Sequence, residues 1–150
     1  MNKARDLEYH VGYWLRFVSN HVSGAFQQRL ATYDVTAAEW VTLRSIDGLR
    51  SCSLSELAER MGSDPSTVSR LVERVLRKGL AVRNHSEEDR RRIQIELTKT
   101  GLSLVPRLAQ EADANDERYF GHLSRKERKT LSELMQGLVQ KHGWKDKPIS

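Results

Sequence analysis

A single cysteine, Cys52, serves the whole 150-residue chain. A lone thiol cannot close an internal disulfide, which excludes disulfide-stapled scaffolds and agrees with a reducing cytoplasm. No apolar run reaches 18 residues, so no membrane-spanning helix is expected. The opening MNKARDLEYH lacks the apolar centre of a signal peptide. The five histidines, His10, His21, His85, His122 and His142, form no metal spacing with Cys52 or with one another. No glycine-rich phosphate loop follows a strand pattern, and there is no nucleophile elbow or strand-end carboxylate pair. The expectation is a cytoplasmic protein, not an enzyme, with no metal and no cofactor.

What is present is charge. Lysine and arginine number 25 against 20 aspartates and glutamates, giving +5 and a pI near 9.6. Such a balance favours a polyanionic partner. It is uneven: Arg60 to Arg92 holds nine basic and five acidic residues.

That stretch sits inside Ser53 to Gly101, around which the chain is organised. Ser53 with Glu56 has the form of a capping box, and Leu54, Leu57, Ala58 and Met61 then recur at helical spacing. Gly62 ends this helix. Asp64 followed by Pro65 opens a second one, with Val68, Leu71, Val72, Val75 and Leu76 on its apolar face. Gly79 stops it. Leu80 to Arg83 reads as a strand, Ser86 to Arg92 as a charged turn, and Ile93, Ile95 and Leu97 alternate as in a half-buried strand. Helix, turn, helix and charged hairpin make a winged helix-turn-helix.

The wing run Asp89-x-Arg91, then Leu97-Thr98-x-x-Gly101, resembles that of the MarR family of bacterial transcriptional regulators. Leu54-Ser55-Glu56-Leu57-Ala58 and Val72-Glu73-x-x-x-x-Lys78-Gly79-Leu80 fit it too. Arg92 departs from it, standing where many relatives carry a small residue. The order of flanking helices extends the likeness over nearly the whole chain.

Those flanks are helical by pattern. Asp6 to Tyr33 reads as one helix with an apolar stripe and a second stripe of His10, Trp14, Phe17 and His21. Thr36 with Glu39 caps a helix to about Gly48, Thr98 caps another carrying Pro106, and Ser124 with Glu127 caps a last amphipathic one to about His142. Pro106 predicts a kink or a displaced start, and residues 145–150 read as a frayed tail. The expected fold is mainly α with a small β-hairpin wing. Residues 1–34 are an N-terminal dimerisation helix, 35–100 the winged helix-turn-helix, 101–144 C-terminal dimerisation helices and 145–150 a tail. The apolar flanks need a partner, and a homodimer matches a palindromic site.

The expected DNA contacts are Ser66, Thr67, Ser69, Arg70 and Arg74 on the second helix and Asp89, Arg90, Arg91 and Arg92 on the wing. Hydroxyls can bond phosphates or base edges, and arginine can pair bidentately with guanine. The resemblance implies that Arg91 enters the minor groove with Asp89 orienting it. It also implies a small phenolic or aromatic ligand held between dimer helices and reader; His10, Tyr13, Trp14, Phe17, Trp40 and Arg44 are the candidate lining, with Arg16 or Arg44 as the cation for a carboxylate. The function implied is a homodimeric regulator of double-stranded DNA, a repressor relieved by such a ligand. Alternatives are a winged-helix protein-interaction or RNA-binding module, and a thiol redox sensor through Cys52.

Overall fold

The computed structural model describes residues 6–149; residues 1–5, the beginning of the expected N-terminal arm, and Ser150 lie outside it. A turn of 3₁₀ helix at Leu7–Tyr9 precedes α1 (Val11–Ala31) and α2 (Ala37–Leu49). Strand β1 (Ser51–Cys52), α3 (Leu54–Met61), α4 (Pro65–Arg77), β2 (Ala81–His85) and β3 (Ile93–Leu97) follow. Helices α5 (Lys99–Phe120) and α6 (Arg125–His142) complete the chain.

The helix starts lie where the side chains dictate. Thr36, Ser53 and Ser124 each accept the N–H of the glutamate three residues on, and that glutamate accepts the capping residue's N–H in return. Gly62 closes α3 at φ 62°, a conformation in which a side chain is strained. Gly101 is needed for a different reason: a Cβ there would sit 2.1 Å from the Leu80 carbonyl oxygen. Thr98 completes this junction. Its N–H donates to Leu80 O at 3.1 Å, its hydroxyl donates to Gly79 O at 2.7 Å, and its Oγ1 accepts the Gly101 N–H. The wing is thereby tied to α5.

The sheet is antiparallel in the order β1-β3-β2, with Cys52 opposite Ile95 and His85 opposite Ile93. β1 lies where the pattern predicts only a link, because two residues are too few to show alternation. The core fills the space between α2, α3, α4, the start of α5 and the sheet, with Leu43, Ile46, Leu57, Val68, Val75 and Leu108 fully buried. Each such side chain contributes roughly 1.5–3 kcal/mol.

Three expectations need correction. The first helix starts at Val11, not Asp6, because His10 is extended (φ −90°, ψ 125°) and breaks the run after the 3₁₀ turn. Of the two outcomes expected at Pro106, the displaced start does not occur: α5 runs from Lys99 through Pro106, where the Leu102 carbonyl forgoes its helical donor. The tail is anchored rather than frayed. Lys147 donates its N–H to Gly62 O and its Nζ to Arg60 O, each at 3.3 Å, and Ile149 packs on the core.

The two arms differ from the reader. In α1 only Leu30 is buried, while Val11, Trp14, Leu15, Phe17 and Val18 are exposed. In α6 no residue is buried, although Leu131, Leu134, Met135, Leu138 and Val139 share its apolar stripe.

Candidate nucleic-acid interface

Helix α4 presents its first turn outward. Asp64 caps it, accepting the Thr67 N–H at 2.9 Å, the Ser66 hydroxyl at 2.5 Å and the Thr67 hydroxyl at 2.7 Å. Those bonds, the Ser66 hydroxyl foremost and the Thr67 hydroxyl next, hold the Asp64 carboxyl far below the usual carboxylate range. Ser66 and Arg70 are exposed, and Thr67 and Ser69 half-buried.

Further along α4 the cations are tied back. Glu39 of α2 is fully buried, and Lys78 donates to its Oε2 at 2.8 Å and to the Asp34 carbonyl at 2.5 Å. Arg74 Nε lies 3.3 Å from Glu39 Oε1 but off the hydrogen-bonding direction, so this is an ionic contact. Arg74 is therefore not simply an outward neighbour of Arg70, and Lys78 belongs to this cluster rather than to solvent. Beyond its cap role, Glu39 was not expected at the interface. The signal was available: it occupies an apolar-face position, one and two turns before Leu43 and Ile46. On the outer side, Glu73 pairs with Arg83 of β2, whose guanidinium draws the Glu73 carboxyl below its ordinary range.

The turn between β2 and β3 forms the wing. Ser86 donates its N–H to Arg92 O, and Arg92 its N–H to Asp89 O, both at 2.9 Å. Asp89 Oδ1 accepts the backbone N–H of Arg91 at 3.0 Å. Asp89 thus shapes the turn through the main chain. No ion pair joins it to an arginine among the described residues, so its hold on Arg91 is through the backbone N–H and not through the guanidinium. Arg90, Arg91 and Arg92 are all exposed.

The expected effector residues do not converge. An apolar groove of about 620 Å³ runs between α1 and the α5–α6 hairpin, lined by Trp14, Phe17, His21, Tyr119, His122 and Met135 among others. Only Trp14 and Phe17 of the expected six line it. Trp40 is partly buried against the reader's core, and Arg44 pairs with Asp47 at 3.1 Å. His10 and Tyr13 meet Tyr9 and Trp14 edge-on instead. Arg16 and Arg44, the cations expected for a carboxylate, are also outside this lining.

Cys52 is enclosed by the core. Burial, with Glu56 adding to it, pushes its thiol up to about 11. That is opposite to what thiolate chemistry requires, so the redox-sensor alternative is set aside. Among the described residues no three His, Cys, Asp or Glu side chains gather as metal ligands. Nor, among these, is any helix long and apolar enough to cross a membrane.

A capped two-helix unit, a three-stranded sheet ending in a hairpin wing, and outward arginines on helix and wing define a winged helix-turn-helix protein. A family model described as the MarR family matches residues 35–93. A putative transcriptional regulatory protein for the hcr operon of Thauera aromatica is 34% identical over 122 residues, covering 77% of this chain and 72% of that one. The repressor NicR of Pseudomonas putida is 27% identical over 138 residues, 92% and 87% of the two chains. The solved structure of Bordetella bronchiseptica BpsR, concerned with regulation of its DNA binding by 6-hydroxynicotinic acid, superposes with a TM-score of 0.76 at 27% identity, covering 91% and 98%. The chain belongs to the MarR family of transcriptional regulators.

Proposed function

We propose that this chain is a homodimeric regulator that binds a palindromic double-stranded DNA operator, acts as a repressor in the cytoplasm, and is released by a small aromatic ligand. It performs no catalysis. Residues 35–100 are the reader, 1–34 and 101–144 the dimerisation arms, and 145–150 the tail. Ser66, Thr67, Ser69 and Arg70 enter the major groove, with Arg74 reaching it through whatever its tie to Glu39 leaves free. Arg91 enters the minor groove, flanked by Arg90 and Arg92 on a turn that Asp89 sets.

The observation that carries this is the pairing of an α4 face that exposes Ser66 and Arg70 with an exposed three-arginine turn, on a MarR-family fold. Exposed apolar stripes on α1 and α6 support the dimer, since solvent-facing apolar surface of that extent marks an interaction site. The relative that responds to 6-hydroxynicotinic acid supports an aromatic acid as effector. The groove between α1 and the α5–α6 hairpin is its proposed seat.

Gel-shift titration at rising salt tests the DNA reading. The logarithm of the association constant should fall with slope roughly −0.9 per phosphate neutralised. Arg91→Ala should weaken all sequences alike, and Arg70→Ala should alter sequence preference. Wild-type affinity and selectivity in both variants would remove the contact assignment. Thermal shift with 6-hydroxynicotinate and hydroxybenzoates tests the effector.

A further inference from the structure

We propose that Asp64 is a specificity-determining residue of the DNA-reading helix: it consumes the hydroxyl hydrogens of Ser66 and Thr67, making both side chains acceptor-only readers that select an adenine or cytosine amino group over a guanine or thymine carbonyl on the strand they face. The inference rests on the DNA-reading proposal above and deepens it.

Hydrogen-bond polarity decides what each hydroxyl can still recognise. An ionised carboxylate only accepts, and a serine or threonine hydroxyl has one hydrogen to give. Ser66 Oγ lies 2.5 Å from Asp64 Oδ1 and Thr67 Oγ1 lies 2.7 Å from Oδ2, so both hydrogens are committed to Asp64. The same Oδ1 takes the Thr67 N–H. The Asp64 carboxyl sits far below the usual carboxylate range, so it is ionised at neutral pH. Only oxygen lone pairs remain on the outward side of either hydroxyl. In the major groove, adenine N6 and cytosine N4 are donors, whereas guanine N7 and O6 and thymine O4 are acceptors. Phosphate oxygens are acceptors too. A hydroxyl held this way is therefore excluded from donating to the DNA backbone, where such groups otherwise often bind. The Thr67 methyl stays available to a neighbouring thymine.

Asp64→Asn separates this role from capping. Asparagine caps a helix about as well as aspartate. Its amide nitrogen, however, donates, so toward Thr67 it supplies a hydrogen and releases the one that Thr67 had committed. Duplexes with randomised half-sites are selected with wild type, Asp64→Asn and Thr67→Val, then sequenced. Thr67→Val removes the hydroxyl, keeps a methyl and leaves the Asp64 cap in place. The wild type should favour A or C over G or T at one or more positions. That preference should fall about fivefold in both variants, the value of one neutral hydrogen bond, with the other positions unchanged. Both variants should melt cooperatively as dimers. Unchanged preference at every position in either folded variant overturns the inference while leaving the DNA-reading proposal intact. A wild type that selects no consensus overturns the DNA-reading proposal and, with it, this one.

Discussion

Replacing Glu39 by alanine tests the least visible part of the reader. Its buried carboxylate joins the start of α2 to the end of α4 through Lys78 at 2.8 Å and Arg74 at 3.3 Å. A charge-assisted hydrogen bond such as that to Lys78 is worth about 1.5–3 kcal/mol. The Arg74 side chain is 52% exposed, so its pair adds less than about 1 kcal/mol. Losing the glutamate half of the capping box removes about 0.5–1 kcal/mol more. Against this stands the carboxylate's own desolvation, which the substitution relieves. The two cations are also free to swing into water, so the full penalty for stranding a buried charge does not apply. The net expectation is a loss of about 2–3 kcal/mol. Urea unfolding followed by circular dichroism measures it, at one protein concentration well above dimer dissociation. The slope with denaturant should stay constant while the midpoint falls. Lys78→Met in a double-mutant cycle with Glu39→Ala should return a coupling of about 1–2 kcal/mol. A midpoint shift worth less than about 0.5 kcal/mol, or no coupling, would refute the clamp.

Three further outcomes follow from particular contacts. Gly101→Ala should destabilise by about 1–3 kcal/mol, because its Cβ meets the Leu80 carbonyl at 2.1 Å and the neighbour is backbone; thermal melting checks it. Cys52 should resist thiol-reactive dyes at pH 8 in the folded protein and react on unfolding, since its thiol is pushed up to about 11; rapid labelling of the native form would contradict its enclosure. The Glu127 carboxyl is lowered, chiefly by the Ser124 backbone N–H, so its contribution is present above the ordinary 4.5 and is lost as pH falls through the folded value. The stability difference between wild type and Glu127→Gln should therefore shrink below pH 4.5, and a difference that grows on acidification would reverse the sign.

Where a helix opens on a capping residue its start was legible, because two or three side chains within one turn spell it out; the uncapped start of α1 at Val11 was not. Thr36–Glu39, Ser53–Glu56, Asp64–Pro65 and Ser124–Glu127 needed no tertiary information. Gly101 was legible as part of a motif, but its reason, the Leu80 carbonyl beside it, exists only once the wing returns. The Glu39 cluster was hidden because its partners lie 35 and 39 residues away in sequence. The six candidate lining residues do not gather in one place for a related reason. Trp14 and Trp40 look alike as residue types, and only packing sends one to the α1 groove and the other to the reader's core. The tail was misread because Lys147 is held by the main chain of the α3–α4 turn, a donor–acceptor match that no side-chain pattern announces.

Net charge is a poor guide to the interface until the structure sorts it. Of the nine cations from Arg60 to Arg92, three are tied in ion pairs: Arg74 and Lys78 to Glu39, and Arg83 to Glu73. Six carry no ion pair among the described residues, and three of these are Arg90, Arg91 and Arg92. Yet the wing turn also holds Glu87, Glu88 and Asp89, so its arginines and acids sum to zero. A turn with no net charge attracts a phosphate backbone only where its arginines stand closer to the phosphates than its acids do. The bonds Arg91 N–H to Asp89 Oδ1 and Arg92 N–H to Asp89 O fix the backbone between the acids and the arginines. Asp89 is thus worth more to the arginines as a turn-maker than as a counter-ion. A salt bridge to Arg91 would neutralise the charge that the wing is proposed to deliver, whereas a bond to its backbone N–H leaves the guanidinium free.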